Sequence, residues 1–154
     1  MNIPISHRFT PHTTVATLIE DQGRYLLVHE APDGHMAVFN QPAGHLEANE
    51  SLIEAALRET LEETAWEVAI TDFLGIYRYE ASNGETYLRH AFAGTPVKYH
   101  ANRTLDTGII DAQWLSYEQI IAITDQLRSP LVLQLIDDYR RGVRYPLAII
   151  REHG

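Results

Sequence analysis

The stretch GHLEANESLIEAALRETLEETAW, residues 44–66, decides the reading of this chain. Its centre, residues 51–64, reads as a helix. Ser51 followed three positions later by Glu54 is a capping-box pair, with Asn49 as an alternative cap. Ile53, Ala56, Leu57, Thr60 and Thr64 recur at helical spacing and predict one face packed on a core. Glu59, Glu62 and Glu63 stand at i, i+3 and i+4, so they share an arc of roughly 100° beside that face. Three like charges on neighbouring turns repel one another by about a few tenths of a kcal/mol per pair. A bound cation reverses the sign of that term. Hard oxygen ligands without thiolate suit Mg²⁺, with Mn²⁺ as a substitute. Arg58 can hold carboxylates in a bidentate fork, and Glu50 is a partner for it. Gly44 is where the backbone can approach closely, with its carbonyl facing a metal.

Taken alone, E-x-x-E-E is more often a solvated helix face than a metal site. The wider spacing changes that weight. Gly44, five residues, Glu50, seven residues, Arg58-Glu59, two residues, Glu62-Glu63 fixes six positions. Chance would produce that in about one chain of this length in 100,000, at roughly 6% usage per residue type.

Outward from the helix, strand signals lie on both sides. Residues 13–20 and 24–30 read as a hairpin across Asp21-Gln22-Gly23, and residues 36–40 as a short strand before a loop over 41–49. Residues 73–80 and 86–92 read as two strands joined by turn residues at 81–84. A strand over 111–115 and helices over 117–124 and 130–139 follow, with Gly142 as a stop. Strands interleaved with helices predict an α/β protein with a mixed sheet flanked by helices.

The bulk numbers set limits. The chain has 154 residues, a length that fits one domain over 1–154. Its formal net charge of -9 repels a phosphate backbone, which argues against nucleic acid as a partner. The absence of cysteine excludes thiolate nucleophiles and zinc-thiolate sites. Residues 1–11 lack the apolar stretch of a leader, and no apolar run approaches a bilayer span. The expectation is a cytoplasmic protein without membrane contact. A monomer is preferred, with a homodimer as the alternative.

The spacing from Gly44 to Trp66 resembles the Nudix box, G-x5-E-x7-R-E-U-x-E-E-x-G-U with U aliphatic. Segments at 39–47, 87–89, 127–131 and 144–147 are similar to the NudJ-type phosphatase branch of that family. The resemblance implies an α/β/α sandwich with the box as loop-helix-loop. It implies metal ligation at Glu59, Glu62, Glu63 and the Gly44 carbonyl, and support of the loop by Arg58 and Glu50. It further implies Mg²⁺-dependent release of phosphate from nucleoside di- and triphosphates, thiamine diphosphate or hydroxymethylpyrimidine diphosphate. The alternatives are ADP-ribose or dinucleoside polyphosphates as substrates, or a nucleotide-binding domain without turnover. Three positions depart from the pattern. Thr60 replaces an aliphatic residue, and its hydroxyl can bond back to the Ala56 carbonyl. Ala65 replaces a glycine, at a cost of roughly 1–2 kcal/mol if the backbone there is left-handed. Trp66 replaces a smaller apolar residue.

Glu62 and Glu63 rank first as the catalytic base, with Glu47 behind them as an outer-shell base or ligand. Asn40 and Gln41 could bond a heterocycle or position the loop. His45 could contact phosphate, and a solvated loop histidine is equally compatible. Tyr77, Tyr79 and Tyr87 could stack on a ring or simply be good strand residues. Arg89 and Arg128 are phosphate-clamp candidates, with surface ion pairs as the alternative. The neighbourhood of Trp114 reads as core.

Overall fold

The computed structural model describes residues 8–153. The leader reading of residues 1–11 therefore falls mostly outside the described residues.

Strand β1, His12–Asp21, is the centre of the fold. Its run from Thr14 to Ile19 is buried on both faces, as a central strand requires. Gln22 and Gly23 take the positive φ that a tight hairpin needs, and β2, Arg24–Glu30, returns. Strand β3, Val38–Asn40, pairs with one edge of β2, and β7, Ile109–Ser116, with the other. On β1 itself lie β4, Ala43–His45, antiparallel, and β6, Thr86–Tyr99, parallel. Strand β5, Trp66–Glu80, pairs antiparallel with β6. The sheet is mixed, as the strand pattern anticipates.

Helices cover both faces. Helix α1, Leu52–Thr64, packs Ala55 and Ala56 on Val15, Phe73 and Phe92. Helices α2, Tyr117–Ala122, and α3, Pro130–Arg140, cover the other face, where Ile120, Val132, Leu135 and Ile136 meet Leu18, Leu27 and Leu74. This is the expected layer of helices on either side of a mixed sheet. Among the described residues no helix is long and apolar enough to cross a membrane.

Three sequence readings need correction. Residues 43–45 form a strand rather than loop. Pro42 and Gly44 read as breakers, but the segment needs only β1 as a partner, and Gly44 pairs opposite Val15. Strands β5 and β6 extend well beyond the expected 73–80 and 86–92. Register shifts at Glu67/Val68, Ile70/Asp72 and Phe73/Gly75 reset the alternation, so a period of two is not readable along β5. Leu57 is 36% exposed, and Glu63 takes a place on the buried side of α1 beside Thr60, which is buried as expected.

The α1 ends agree with the box departures. Ser51 and Glu54 form the capping box. Thr60 Oγ1 donates to the Ala56 carbonyl at 2.7 Å. Ala65 closes the helix at φ 62°, left-handed and strained for a residue with a Cβ. Trp66 meets Trp114 edge-on at 5.7 Å in a small third cluster, where Trp114 is partly buried.

Candidate active site

Arg58 organises the acidic end of α1. Its Nε and Nη2 donate to the two oxygens of Glu50 at 2.9 and 2.7 Å, a bidentate fork. Its Nη1 donates to Glu59 at 2.8 Å and to Glu62 at 3.3 Å. Nη2 also reaches the His45 carbonyl at 3.1 Å, which ties the helix to β4. Glu47 stands farther off, 3.5 Å from Nη1 and largely exposed. The Arg58 hydrogen bond holds the Glu50 carboxyl below its ordinary range. In return the Glu50 bond raises the proton affinity of Arg58. Glu50 also accepts the Glu47 amide at 2.7 Å, so it closes the loop onto the helix.

Glu59 and Glu62 converge with Asp106, with one carboxylate oxygen from each lying within 4.8 Å of the others. These oxygens suit a hard divalent cation. Asp106 lies before β7, and its amide donates to the Glu62 carbonyl at 3.1 Å. Sequence reasoning missed it, because an aspartate in a distant turn carries no spacing signal. The Cα of Gly44 supplies an independent observation. A Cβ there would lie 2.2 Å from the Glu59 carboxyl, so only glycine leaves that carboxylate its place.

Glu63 does not join this group. It is 9% exposed and accepts the Ala43 amide at 2.8 Å, turned towards β4. Burial pushes its pKa up to about 8, with Glu59, Glu30 and Asp106 adding to the rise. Burial also raises the Glu59 pKa, against the pull of Arg58.

Across β4 lies a cavity of about 510 Å³, walled by Ala43 and Gly44 on the side of α1. Asn40, His45, Tyr79, Tyr87, Arg89 and Arg128 all line it. Arg89 is 8% exposed and, among the described residues, has no carboxylate partner. It donates to Asn40 Oδ1 at 3.0 Å and Gln41 Oε1 at 3.2 Å. Burial pushes its pKa down to about 10, which still leaves it charged at neutral pH. Gln41 is 1% exposed and does not line the cavity. Its amide donates to the Val132 carbonyl at 2.9 Å, so it holds Arg89 against α3. Arg128 sits at the rim because its amide bonds the Phe39 carbonyl of β3 at 2.8 Å. It pairs with Glu30 at 2.7 Å, a cavity residue that sequence reasoning also missed. Tyr77 faces elsewhere and donates to Asp138 at 2.7 Å. A second cavity of about 640 Å³ shares Tyr79, Arg128 and Ser129 but lies away from β4 and the acidic cluster.

The NUDIX domain family matches residues 9–135, most of the chain. This chain is a Nudix hydrolase. It is 40% identical over 142 residues to Phosphatase NudJ of Escherichia coli strain K12, covering 92% of each protein. A solved NUDIX hydrolase from Nitrosomonas europaea is 48% identical, with a TM-score of 0.92 over 94% of this chain and 98% of that one. The MutT protein from Methanosarcina mazei, at 23% identity and a TM-score of 0.70 over 86% of this chain and 96% of that one, shares the fold. The activity is hydrolysis of phosphoanhydrides in small phosphate substrates, for which such hydrolases generally use divalent metal.

Proposed function

We propose that this Nudix hydrolase releases orthophosphate from small organic di- and triphosphates, with Mg²⁺ as its metal. Nucleoside di- and triphosphates, thiamine diphosphate and hydroxymethylpyrimidine diphosphate are the substrate panel. The observation that carries the reading is Arg89. A buried guanidinium that has no carboxylate partner among the described residues, lining a cavity one strand away from an acidic cluster, calls for an anion. The likeness to Phosphatase NudJ supports the same class.

In this reading Glu59, Glu62 and Asp106 hold the metal, with the Gly44 carbonyl beside them. When bound, the cation would neutralise phosphoanhydride oxygens and make a water more acidic. Arg58 keeps Glu59 and Glu62 in place. Arg89 and Arg128 bind the phosphate end, helped by the positive N-terminal end of α3 at Ser129 and Leu131. Tyr79 and Tyr87 face the organic end. Water adds to phosphorus, the bond to the bridging oxygen breaks, and the proton of the water passes to a glutamate. Glu62 and Glu63 are the candidates to take it; burial raises the proton affinity of Glu63, and a cation bound beside it would lower that affinity and leave it an ionised base at neutral pH. Glu47, exposed and at the edge of the Arg58 network, is not needed for that step.

Hydrolysis of the panel in ¹⁸O-labelled water with Mg²⁺ tests the proposal. Labelled orthophosphate as the first product is the expected result. Two organic monophosphates from ADP-ribose or a dinucleoside polyphosphate, with the panel untouched, would replace it with the alternative substrate class.

A further inference from the structure

The rim of the 510 Å³ cavity carries a chain of side chains that the hydrolysis does not use. His12 Nε2 lies 2.8 Å from Glu85 Oε2, and His12 Nδ1 lies 3.0 Å from His45 Nε2. The His12 ring stacks on Tyr87, with centroids 4.9 Å apart and planes inclined by 20°. His45 meets the His12 ring edge-on at 5.1 Å. The sheet register enforces this grouping, because His12 lies opposite Tyr87 and His45 opposite Thr14.

The donors and acceptors follow from the ends of the chain. An ionised carboxylate only accepts, so His12 Nε2 carries a proton. In a neutral His12 the other nitrogen must accept, so His45 Nε2 donates to it. His45 Nδ1 is left with a lone pair and, among the described residues, no partner. His45 lines the cavity, as do Thr14, Ser82 and Asn83.

We propose that Glu85 and His12 are positioning residues that fix His45 as a hydrogen-bond acceptor at the cavity rim, selecting substrates whose organic half offers an N–H or O–H donor there. The proposal rests on the reading that this cavity receives the substrate. An acceptor at that point repels ionised phosphate oxygens. Phosphate is therefore directed to Arg89 and Arg128, and His45 addresses the organic group instead of the phosphate that sequence reasoning considered for it.

Two measurements test this. In ¹⁵N-labelled protein without substrate, at mildly alkaline pH, long-range proton–nitrogen correlation should show His45 in one tautomer, protonated at Nε2. His12→Phe keeps a ring on Tyr87 and removes both nitrogens, and there His45 should relax into a mixture of tautomers. A proton on His45 Nδ1 in the wild type, or equal tautomer populations in both proteins, overturns the proposal. With a panel compound that the wild type turns over, His12→Phe and His45→Phe should each raise KM about tenfold, the worth of one hydrogen bond, with kcat nearly unchanged. The double variant should match His45→Phe alone, and Glu85→Gln, which retains an acceptor oxygen, should suffer less than Glu85→Leu. Additive losses, or a loss in kcat alone, overturn it. A wild type that hydrolyses nothing in the panel defeats the proposed function, while the tautomer measurement still decides this inference.

Discussion

The two walls of β4 are built in opposite ways. On one side the acidic end of α1 gathers Glu50, Arg58, Glu59 and Glu62 from a single stretch of chain, where helical spacing does the gathering. On the other side Arg89 comes from β6, Asn40 and Gln41 from β3 and the residue after it, Arg128 from the approach to α3 and Glu30 from the end of β2. The acidic wall carries an excess of negative charge that a cation would relieve. The basic wall carries a buried positive charge that an anion would relieve. A metal-bound phosphate would satisfy both walls at once, as the proposed function requires.

Breaking the acidic wall has the largest expected effect. Glu62→Gln should retain the fold, by circular dichroism and melting temperature, and lose most turnover at saturating Mg²⁺. Glu63→Gln should lower kcat by about 10²–10⁴ if it takes the proton. Near-normal kcat in either variant removes that residue from its role. Breaking the basic wall should be milder. Arg89→Leu forfeits charged hydrogen bonds to phosphate worth about 1.5–3 kcal/mol, so kcat/KM should fall roughly 10- to 150-fold. Stability should suffer little, because the same change removes a buried charge. A large loss of melting temperature with unchanged kcat/KM would make Arg89 a structural residue only.

The acidic wall was legible in the sequence as one group, whereas the basic wall was legible only as separate candidates, for a physical reason. Within a helix, sequence separation is spatial separation, so Glu59, Glu62 and the Arg58 fork follow from spacing. The capping box, the Thr60 back-bond and the left-handed Ala65 follow from equally local rules. Asp106 joined its group through a loop amide bonded to the Glu62 carbonyl, and Glu30 through strand pairing, neither of which periodicity records. Arg89 could be nominated as a phosphate ligand, but its burial between Asn40 and Gln41 depends on β3 lying beside α3. Gln41, nominated to bond a heterocycle or to position the loop, is buried and braces Arg89. The true lengths of β5 and β6 stayed hidden because bulges interrupt alternation, and the β4 strand because Pro42 and Gly44 look like a loop.

Smaller perturbations sharpen the contrast. Gly44→Ala should keep the fold, since the added Cβ meets only the end of the Glu59 side chain, yet by displacing that carboxyl it should weaken Mg²⁺ activation. Unaltered Mg²⁺ dependence would separate Gly44 from the metal. Between about pH 5 and 8 the metal-free protein should lose melting temperature as pH rises. Folded Glu63 keeps its proton up to about pH 8, whereas in the unfolded chain it releases the proton near 4.5. The unfolded state then binds fewer protons, so stability is full below the lower value and declines towards the higher. Glu63→Gln should flatten that slope, and an unchanged slope would place the effect elsewhere. The smallest change is Ala65→Gly, which relieves the left-handed backbone and should add about 0.5–1 kcal/mol of stability, read by urea unfolding, with kcat untouched.

Calorimetric titration of Mg²⁺ with and without methylenediphosphonate, a diphosphate analogue that cannot be hydrolysed, tests most directly whether the two walls serve one ligand. After allowance for the Mg²⁺–diphosphonate complex in solution, each ligand should tighten the other by the same factor in the wild type, and that factor should fall towards one in Arg89→Leu. Mg²⁺ affinity that is identical with and without the diphosphonate would contradict the account.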